Sequence, residues 1–462
     1  MKKLLVLGAG PGGYTAAFYA ADLGFEVTLI DSEDRLGGTC LLQGCIPSKA
    51  LLHVARLIHE TREAADWGLE FEPPALNLEK LRQWKNSVIG KLTGGLGQLN
   101  QQRNIRLITG RARFVDDSSV VVGDGDPIPF DHCIVATGSR PAVPPALRIE
   151  SPRLMDSTGA LELSDIPEKL LVVGGGYIGL EMGTVYSALG SAVTVVEMTP
   201  DLLPGVDRDL VRILQARLRK QFDRILTRVQ LESLQVKGEQ LEARFSGAGE
   251  AELFDRVLVS VGRVPNTGDL GLESTGVRLD DKGFVKVGPD FRTDTFSISA
   301  IGDVIGGAML AHKASHEARW AVDALSGNAS HAERKNTIPA VVFTDPEIAW
   351  CGLTETQASV DGISVEVVKF PWGASGRATT LGRNDGFTKL ILEQDTGTVL
   401  GVGIVGVGAG ELISEGVLAV NLGIKGADLA HTIHPHPTLS ETLMEAGEVS
   451  TGHSTHVYRK PR

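Results

Sequence analysis

The chain has 462 residues, 42% of them hydrophobic, which is enough for about three domains with separate cores. Its formal net charge of −12 excludes a surface built to neutralise nucleic-acid phosphates. Glycines break the apolar stretches at residues 4–21 and 399–410, and there are only four cysteines, so a cytoplasmic protein with no membrane segment is expected.

From Leu4 to Asp31 the sequence reads as a strand, a glycine turn, a small-residue helix ending at Gly24 and a second strand. Gly8, Gly10 and Gly13 stand at dinucleotide-fingerprint spacing, and Asp31 closes the second strand. Glycines there let backbone amides approach a pyrophosphate at the helix N-terminus, and the acid accepts hydrogen bonds from a ribose.

The run from Gly37 through Gly38, Thr39, Cys40, Leu41, Leu42, Gln43, Gly44 and Cys45 to Ile46, Pro47, Ser48 and Lys49 is the sharpest signal. Closing so short a loop would add only about 2 kcal/mol of stability, little for a chain of this size, so the pair reads as a redox switch. Residues five apart on a regular helix diverge, so the local backbone must be distorted, with Gly44 and Pro47 as the means. A helix is expected from Ser48 to Glu60, with Leu51, Leu52, Ala55 and Ile58 on its buried face. Thiols at its positive end have a lowered pKa. No second cysteine or histidine pair lies close by, so no metal centre is expected; Cys133 and Cys351 sit in apolar runs as inert thiols.

Phe130 and Asp131 lead into a buried strand ending at Thr137 and Gly138, and Pro141, Pro144 and Pro145 mark a linker. The opening unit then repeats from Leu170 to Glu197: Gly8 corresponds to Gly174, Gly10 to Gly176, Gly13 to Gly179, Gly24 to Gly190 and Asp31 to Glu197. The closing strand is echoed too, with Phe254 and Asp255 leading to Gly262. Two dinucleotide sites follow. Cys40 lies close after Asp31, so the first suits a flavin, which takes electrons from a thiolate and passes them to nicotinamide. The second ends in Glu197 with no arginine in the next several residues, which favours NAD over NADP. This second unit should end near Asn266 to Gly271, Gly283 to Ala300 reads as further strand before an Ile301-Gly302-Asp303 turn, and a last domain should begin between Lys335 and Pro339.

Near the C-terminus, His434-Pro435-His436-Pro437-Thr438-Leu439-Ser440-Glu441 leaves three readings open. It is an acid–base pair, a capped helix start with Thr438 and Glu441 as capping box, or a His-x-His metal pair.

Assembled, the two fingerprints, the cysteine run and the histidine run resemble the flavin-dependent pyridine nucleotide-disulfide oxidoreductases over nearly the whole chain. The resemblance extends to Ala136-Thr137-Gly138, Ala300 to Asp303, Val341 to Glu347 and Gly408 to Glu411. It implies an α/β fold of two Rossmann-like three-layer dinucleotide-binding domains plus a C-terminal α+β dimerisation domain. The expected bounds are 1–143 for the FAD domain with its disulfide, 144–270 for the NAD domain, 271–336 for a segment returning to the first, and 337–462 for dimerisation. By the same resemblance Cys40 is the interchange thiol and Cys45 the thiol facing the flavin. Lys49 and Glu181 pair near flavin and nicotinamide, and Asp303 meets the ribityl chain. His436 is the base and Glu441 its partner, reaching the disulfide of the other subunit of an obligate homodimer. Leu42-Gln43, Pro435 and Asp31 depart from the family's usual residues without removing a reacting atom. The implied reaction is oxidation of dihydrolipoamide carried by lipoylated subunits of 2-oxo acid dehydrogenase or glycine cleavage systems, with FAD and NAD as cofactors. An NADPH-dependent reductase of glutathione or another small disulfide is the alternative, and Glu197 weighs against it.

Overall fold

Leu4, Leu5, Val6 and Leu7 are all buried, as befits a strand covered on both faces. In the computed structural model, which describes residues 2–247, 250–327 and 337–458, the strand Lys3–Leu7 is the centre of a five-stranded parallel sheet. Across the sheet the order is Ile298–Ala300, His132–Val135, Lys3–Leu7, Glu26–Asp31 and Arg106–Thr109. The helix Pro11–Asp22 packs Ala16, Ala17 and Ala20 into one cluster with Ala318 and Ala321 of the helix Ala311–Ser326. Small residues let these two helices approach closely over the sheet.

The second unit repeats the first. Its parallel sheet runs Arg224–Thr227, Ala192–Glu197, Lys169–Val173, Arg256–Val259 and Leu154–Met155. Leu7 pairs with Ile30 in the first sheet as Val173 pairs with Val196 in the second, so the registers correspond as well as the sequences. Each unit also carries a three-stranded antiparallel excursion, starting at Ala112 in one and Leu231 in the other. The C-terminal part is an antiparallel sheet in the order Ala340–Val342, Glu347–Gly352, Val399–Gly406, Phe387–Glu393 and Val365–Pro371, with the helices Ala409–Leu422 and Glu441–Thr451 beside it. One apolar cluster joins all three parts: Leu51, Leu52 and Leu81 from the first, Leu180 and Leu214 from the second, and Val342 and Val405 from the third. Among the described residues no helix is long and apolar enough to cross a membrane.

Two local expectations need correction. The helix read as Ser48 to Glu60 runs Cys45–Glu63, because the missing N–H of Pro47 falls in a first turn where no acceptor is needed. The segment from Gly283 to Ala300 is mostly turns. Asp280 Oδ1 accepts hydrogen bonds from the amides of Lys282 and Phe284, a second turn closes between Gly288 and Arg292, and only Ile298–Ala300 joins a sheet. The expected start of the last domain near Lys335 lies partly in residues 328–336, outside those described.

Lys389 shows how firmly the C-terminal sheet is tied to the second unit. Its side chain is wholly buried, with Nζ 2.8 Å from Asp207, 3.0 Å from Asp209 and 2.7 Å from Glu355. Burial raises the carboxyl pKa values of Asp207 and Asp209, but their lysine bonds outweigh it and both end below the usual range. The stability these two acids contribute is therefore complete above about pH 4 and is lost as pH falls through their depressed folded values. A Lys389→Met variant leaves the buried Asp207 without its counter-ion, while Asp209 and Glu355 keep Lys369, and should be destabilised by about 3 kcal/mol, read as an earlier urea unfolding transition.

Candidate active site

The two cysteines come together because the chain leaves the helical path between them. A short helix, Gly38–Gln43, carries Cys40; Gly44 then takes φ −148° and ψ −109°; and a new helix starts at Cys45. A Cβ on Gly44 would come within 2.8 Å of the Thr39 carbonyl oxygen, so this break requires glycine. Cys40 is half-buried and Cys45 is exposed to a cavity of about 790 Å³ that both cysteines line. The Cys45 thiolate accepts a hydrogen bond from the Cys40 thiol. With help from Lys49, that bond outweighs burial and brings the Cys45 pKa down to about 7, while Cys40, as donor, is pushed up. Burial pushes up the thiol of Cys133 and raises that of Cys351 to about 12, which leaves both as inert thiols.

Lys49 follows Cys45 by one helical turn, on the same face. Its Nζ lies 2.9 Å from Glu181 Oε2, on the first turns of the helix Tyr177–Leu189 that opens the second nucleotide unit. Tyr177, Ile178, Glu181 and Met182 all line the cavity, so the second unit supplies one wall of the first unit's pocket. On another wall Ser139 Oγ donates to Asp303 Oδ2 and accepts from Arg263 Nε at 2.7 Å. Thr137 Oγ1 donates to the Asn266 carbonyl at 2.8 Å, and Gly138 follows at φ +71°. Gly38, Thr39, Thr137, Gly138 and Asp303 all face the same space.

The glycine fingerprints divide their work. Gly13 and Gly179 are packing residues: a Cβ on either would strike the carbonyl oxygen of Gly8 or Gly174, at 1.7 and 2.2 Å. Gly10 lines the cavity, and a Cβ there would meet nothing closer than Gly38 Cα at 3.9 Å. Gly176 and Gly262 have open space beside them, as a ligand-approach surface requires, although neither they, Gly174, Gly179 nor Glu197 belong to the first cavity. Asp31 accepts hydrogen bonds from the Ala9 and Glu33 amides; Glu197 accepts from Gly175 and Thr199, both at 2.7 Å. Each acid thus fixes its own phosphate loop and keeps spare lone pairs for a ribose. Bare helix N-termini, pinned acids and a long cavity with a thiolate in its wall fit an FAD in the first unit and a second dinucleotide at the other.

The C-terminal histidines differ sharply. His434 has both ring nitrogens engaged, with Glu415 at 2.8 Å and the Thr432 carbonyl at 2.9 Å. Among the described residues His436 has only Nδ1 engaged, 2.9 Å from Glu441 Oε1, and its side chain is 76% exposed and outside the cavity of its own chain. Burial raises the Glu441 pKa, but the Thr438 amide and His436 outweigh it, so the carboxyl is held low. An ionised carboxylate only accepts, so Nδ1 carries the proton and Nε2 is left free as a base. Only half of the capping box forms: the Glu441 carboxylate accepts from the Thr438 amide at 2.7 Å, but Thr438 Oγ1 donates to the Pro435 carbonyl, and Ser440, at the cap position, makes no side-chain bond to the helix amides.

Sequence reasoning missed Tyr177, Ser139, Arg263 and Phe343. The first three directly follow Gly176, Gly138 and Gly262, so adjacency to a bare glycine was the available signal. Phe343 had none beyond lying in a motif.

Residues 2–318 match the family described as pyridine nucleotide-disulphide oxidoreductase, and residues 338–447 match its dimerisation domain. Dihydrolipoyl dehydrogenase from Vibrio parahaemolyticus serotype O3:K6 is 44% identical over 464 residues, covering 99% of this chain and 97% of that protein. The Geobacillus stearothermophilus protein of the same name is 41% identical, covering 99% and 98%. Among solved structures, LpdA from Mycobacterium tuberculosis matches with a TM-score of 0.90 at 28% identity, covering 97% of this chain and 100% of that one. The HOCl-induced flavoprotein disulfide reductase RclA from Escherichia coli matches at 0.86 with 30% identity, covering 96% and 98%. Both nucleotide units fall within the first family match and the antiparallel sheet within the second, so the chain belongs to the pyridine nucleotide-disulphide oxidoreductase family.

Proposed function

We propose that the chain oxidises protein-bound dihydrolipoamide to lipoamide with NAD⁺, using FAD, as a homodimer in the cytoplasm. The observation that carries this is the placement of Cys45. Cys45 lines the first unit's cavity together with Cys40, to which it is hydrogen-bonded, and shares that cavity with Tyr177, Glu181 and Met182 of the second unit.

In this reading the substrate dithiol loses a proton to His436 Nε2, and Glu441 holds the ring in the competent tautomer. The substrate thiolate attacks Cys40 of a Cys40–Cys45 disulfide, and Cys45 leaves as the thiolate that its low pKa favours. The second substrate thiol then attacks the substrate sulfur bonded to Cys40, which releases lipoamide and leaves both cysteines reduced. FAD, held by the first unit, would supply the two-electron chemistry that couples the Cys45 thiolate to NAD⁺. His436 lies outside its own chain's cavity, which supports one protomer serving the cysteines of its partner. Gly8, Gly10, Gly13, Gly38, Thr39, Asp31, Thr137, Gly138 and Asp303 hold or shape the FAD site, and Gly174, Gly176, Gly179, Glu197 and Gly262 do so for NAD. Lipoylated subunits of 2-oxo acid dehydrogenase or glycine cleavage systems are the partners.

Assaying the purified chain with dihydrolipoamide and NAD⁺, beside NADPH and glutathione disulfide, tests the proposal. The first pair should turn over, and NADH should be preferred to NADPH at least about tenfold in the reverse direction because Glu197 repels a 2′-phosphate. Preference for NADPH and glutathione disulfide would move the chain to the other reductase class.

A further inference from the structure

We propose that Phe343 is a positioning residue for the Cys45 thiolate, its ring and its main-chain amide together fixing the Lys49–Glu181 pair beside the sulfur. The proposal rests on the role given to Cys45 above. Lys49 has a flexible four-carbon stem, and its side chain remains 32% exposed, so one carboxylate contact does not by itself settle where the ammonium stands. The Phe343 ring supplies a second constraint, with Lys49 Nζ 4.3 Å from its centroid. The Phe343 amide supplies a third, donating to Glu181 Oε1 at 3.0 Å while Glu181 Oε2 holds the lysine. Three parts of the fold meet in this small circuit: the redox helix, the first turns of the second nucleotide helix, and the chain just after the strand Ala340–Val342.

The circuit matters because its two charges oppose one another at Cys45. The groups acting on the sulfur are Cys40, Lys49 and Glu181, with the Tyr177 phenol beyond. Lys49 favours the thiolate and Glu181 disfavours it. Without the ring the ammonium is free to swing away, whereas the carboxylate stays pinned by the Phe343 amide, which no side-chain change removes. The thiolate then loses its cation and keeps its anion.

The test uses full-length holoenzyme reduced with a dithiol, in wild-type, Phe343→Leu and Phe343→Tyr forms. Two signals are followed against pH: the long-wavelength absorbance of a thiolate against flavin, and the rate of Cys45 alkylation by iodoacetamide, read by mass spectrometry. Phe343→Leu should move the midpoint of both upward by about half a pH unit, and Phe343→Tyr, which restores the ring, should match wild type. In a Lys49→Met background Phe343→Leu should have no further effect. Equal midpoints in all three forms, equal shifts for leucine and tyrosine, or a shift that survives removal of Lys49 would overturn the proposal. A wild-type enzyme with neither signal would overturn the assignment of Cys45 itself, and the proposal with it.

Discussion

A Cys45→Ser variant should keep its FAD and lose dihydrolipoamide turnover by at least about a thousandfold, together with all long-wavelength absorbance on reduction. Nothing in the cavity's glycine loops or in Asp31 depends on the sulfur, so retention of the cofactor is expected. What disappears is the leaving thiolate and the only sulfur that the structure exposes to the cavity as a lowered-pKa group. In wild type the absorbance should grow as pH rises through about 7, the value at which Cys45 ionises. Cys40→Ser should behave differently: Cys45 remains, so absorbance persists while exchange with substrate stops. Identical behaviour of the two variants would contradict the division of labour between the sulfurs.

The second large effect is expected at the histidine. His436→Gln should slow dihydrolipoamide oxidation by about a hundredfold to ten thousandfold, the range associated with loss of a general base. Oxidation of NADH by an artificial acceptor should change little, because that half of the reaction needs no proton taken from a thiol. His434 provides the control. Its ring is tied at both nitrogens, so His434→Gln should lower stability and leave the surviving molecules active in both assays. If His436→Gln reduced both activities equally, the ring would be supporting the fold rather than taking a proton.

What could be read in the sequence was chemistry encoded within a few dozen residues. The glycines and acids of each nucleotide unit, the cysteine run and the histidine run are local patterns, and their backbone consequences follow from where glycine and proline are tolerated. Even there the sequence understated their roles: Asp31 and Glu197 read as ribose acceptors, yet each also anchors its glycine loop, Asp31 through the Ala9 amide and Glu197 through the Gly175 amide. The opposite error arose between Gly283 and Ala300, where β-branched and aromatic residues suggested strand but aspartate side chains and glycines fold the chain into turns. Contacts between distant segments left no local trace. Lys49 and Glu181 are 132 residues apart and were paired by the resemblance alone, and Phe343, 162 residues from Glu181, joins them only in the folded chain. The residues alone did not separate His436 from His434, since both precede proline in the same short run; the resemblance named His436, and the hydrogen-bond partners now distinguish the two rings.

The most direct measurement of the central claim is differential alkylation of the four thiols in the purified flavoprotein before and after anaerobic addition of one equivalent of dihydrolipoamide, with each cysteine quantified by mass spectrometry. Cys40 and Cys45 should resist alkylation in the oxidised protein and become modified after reduction, while the buried Cys133 and Cys351 remain unmodified in both states. Equal labelling of Cys40 and Cys45 before and after dihydrolipoamide would show that they never join, and would contradict that claim.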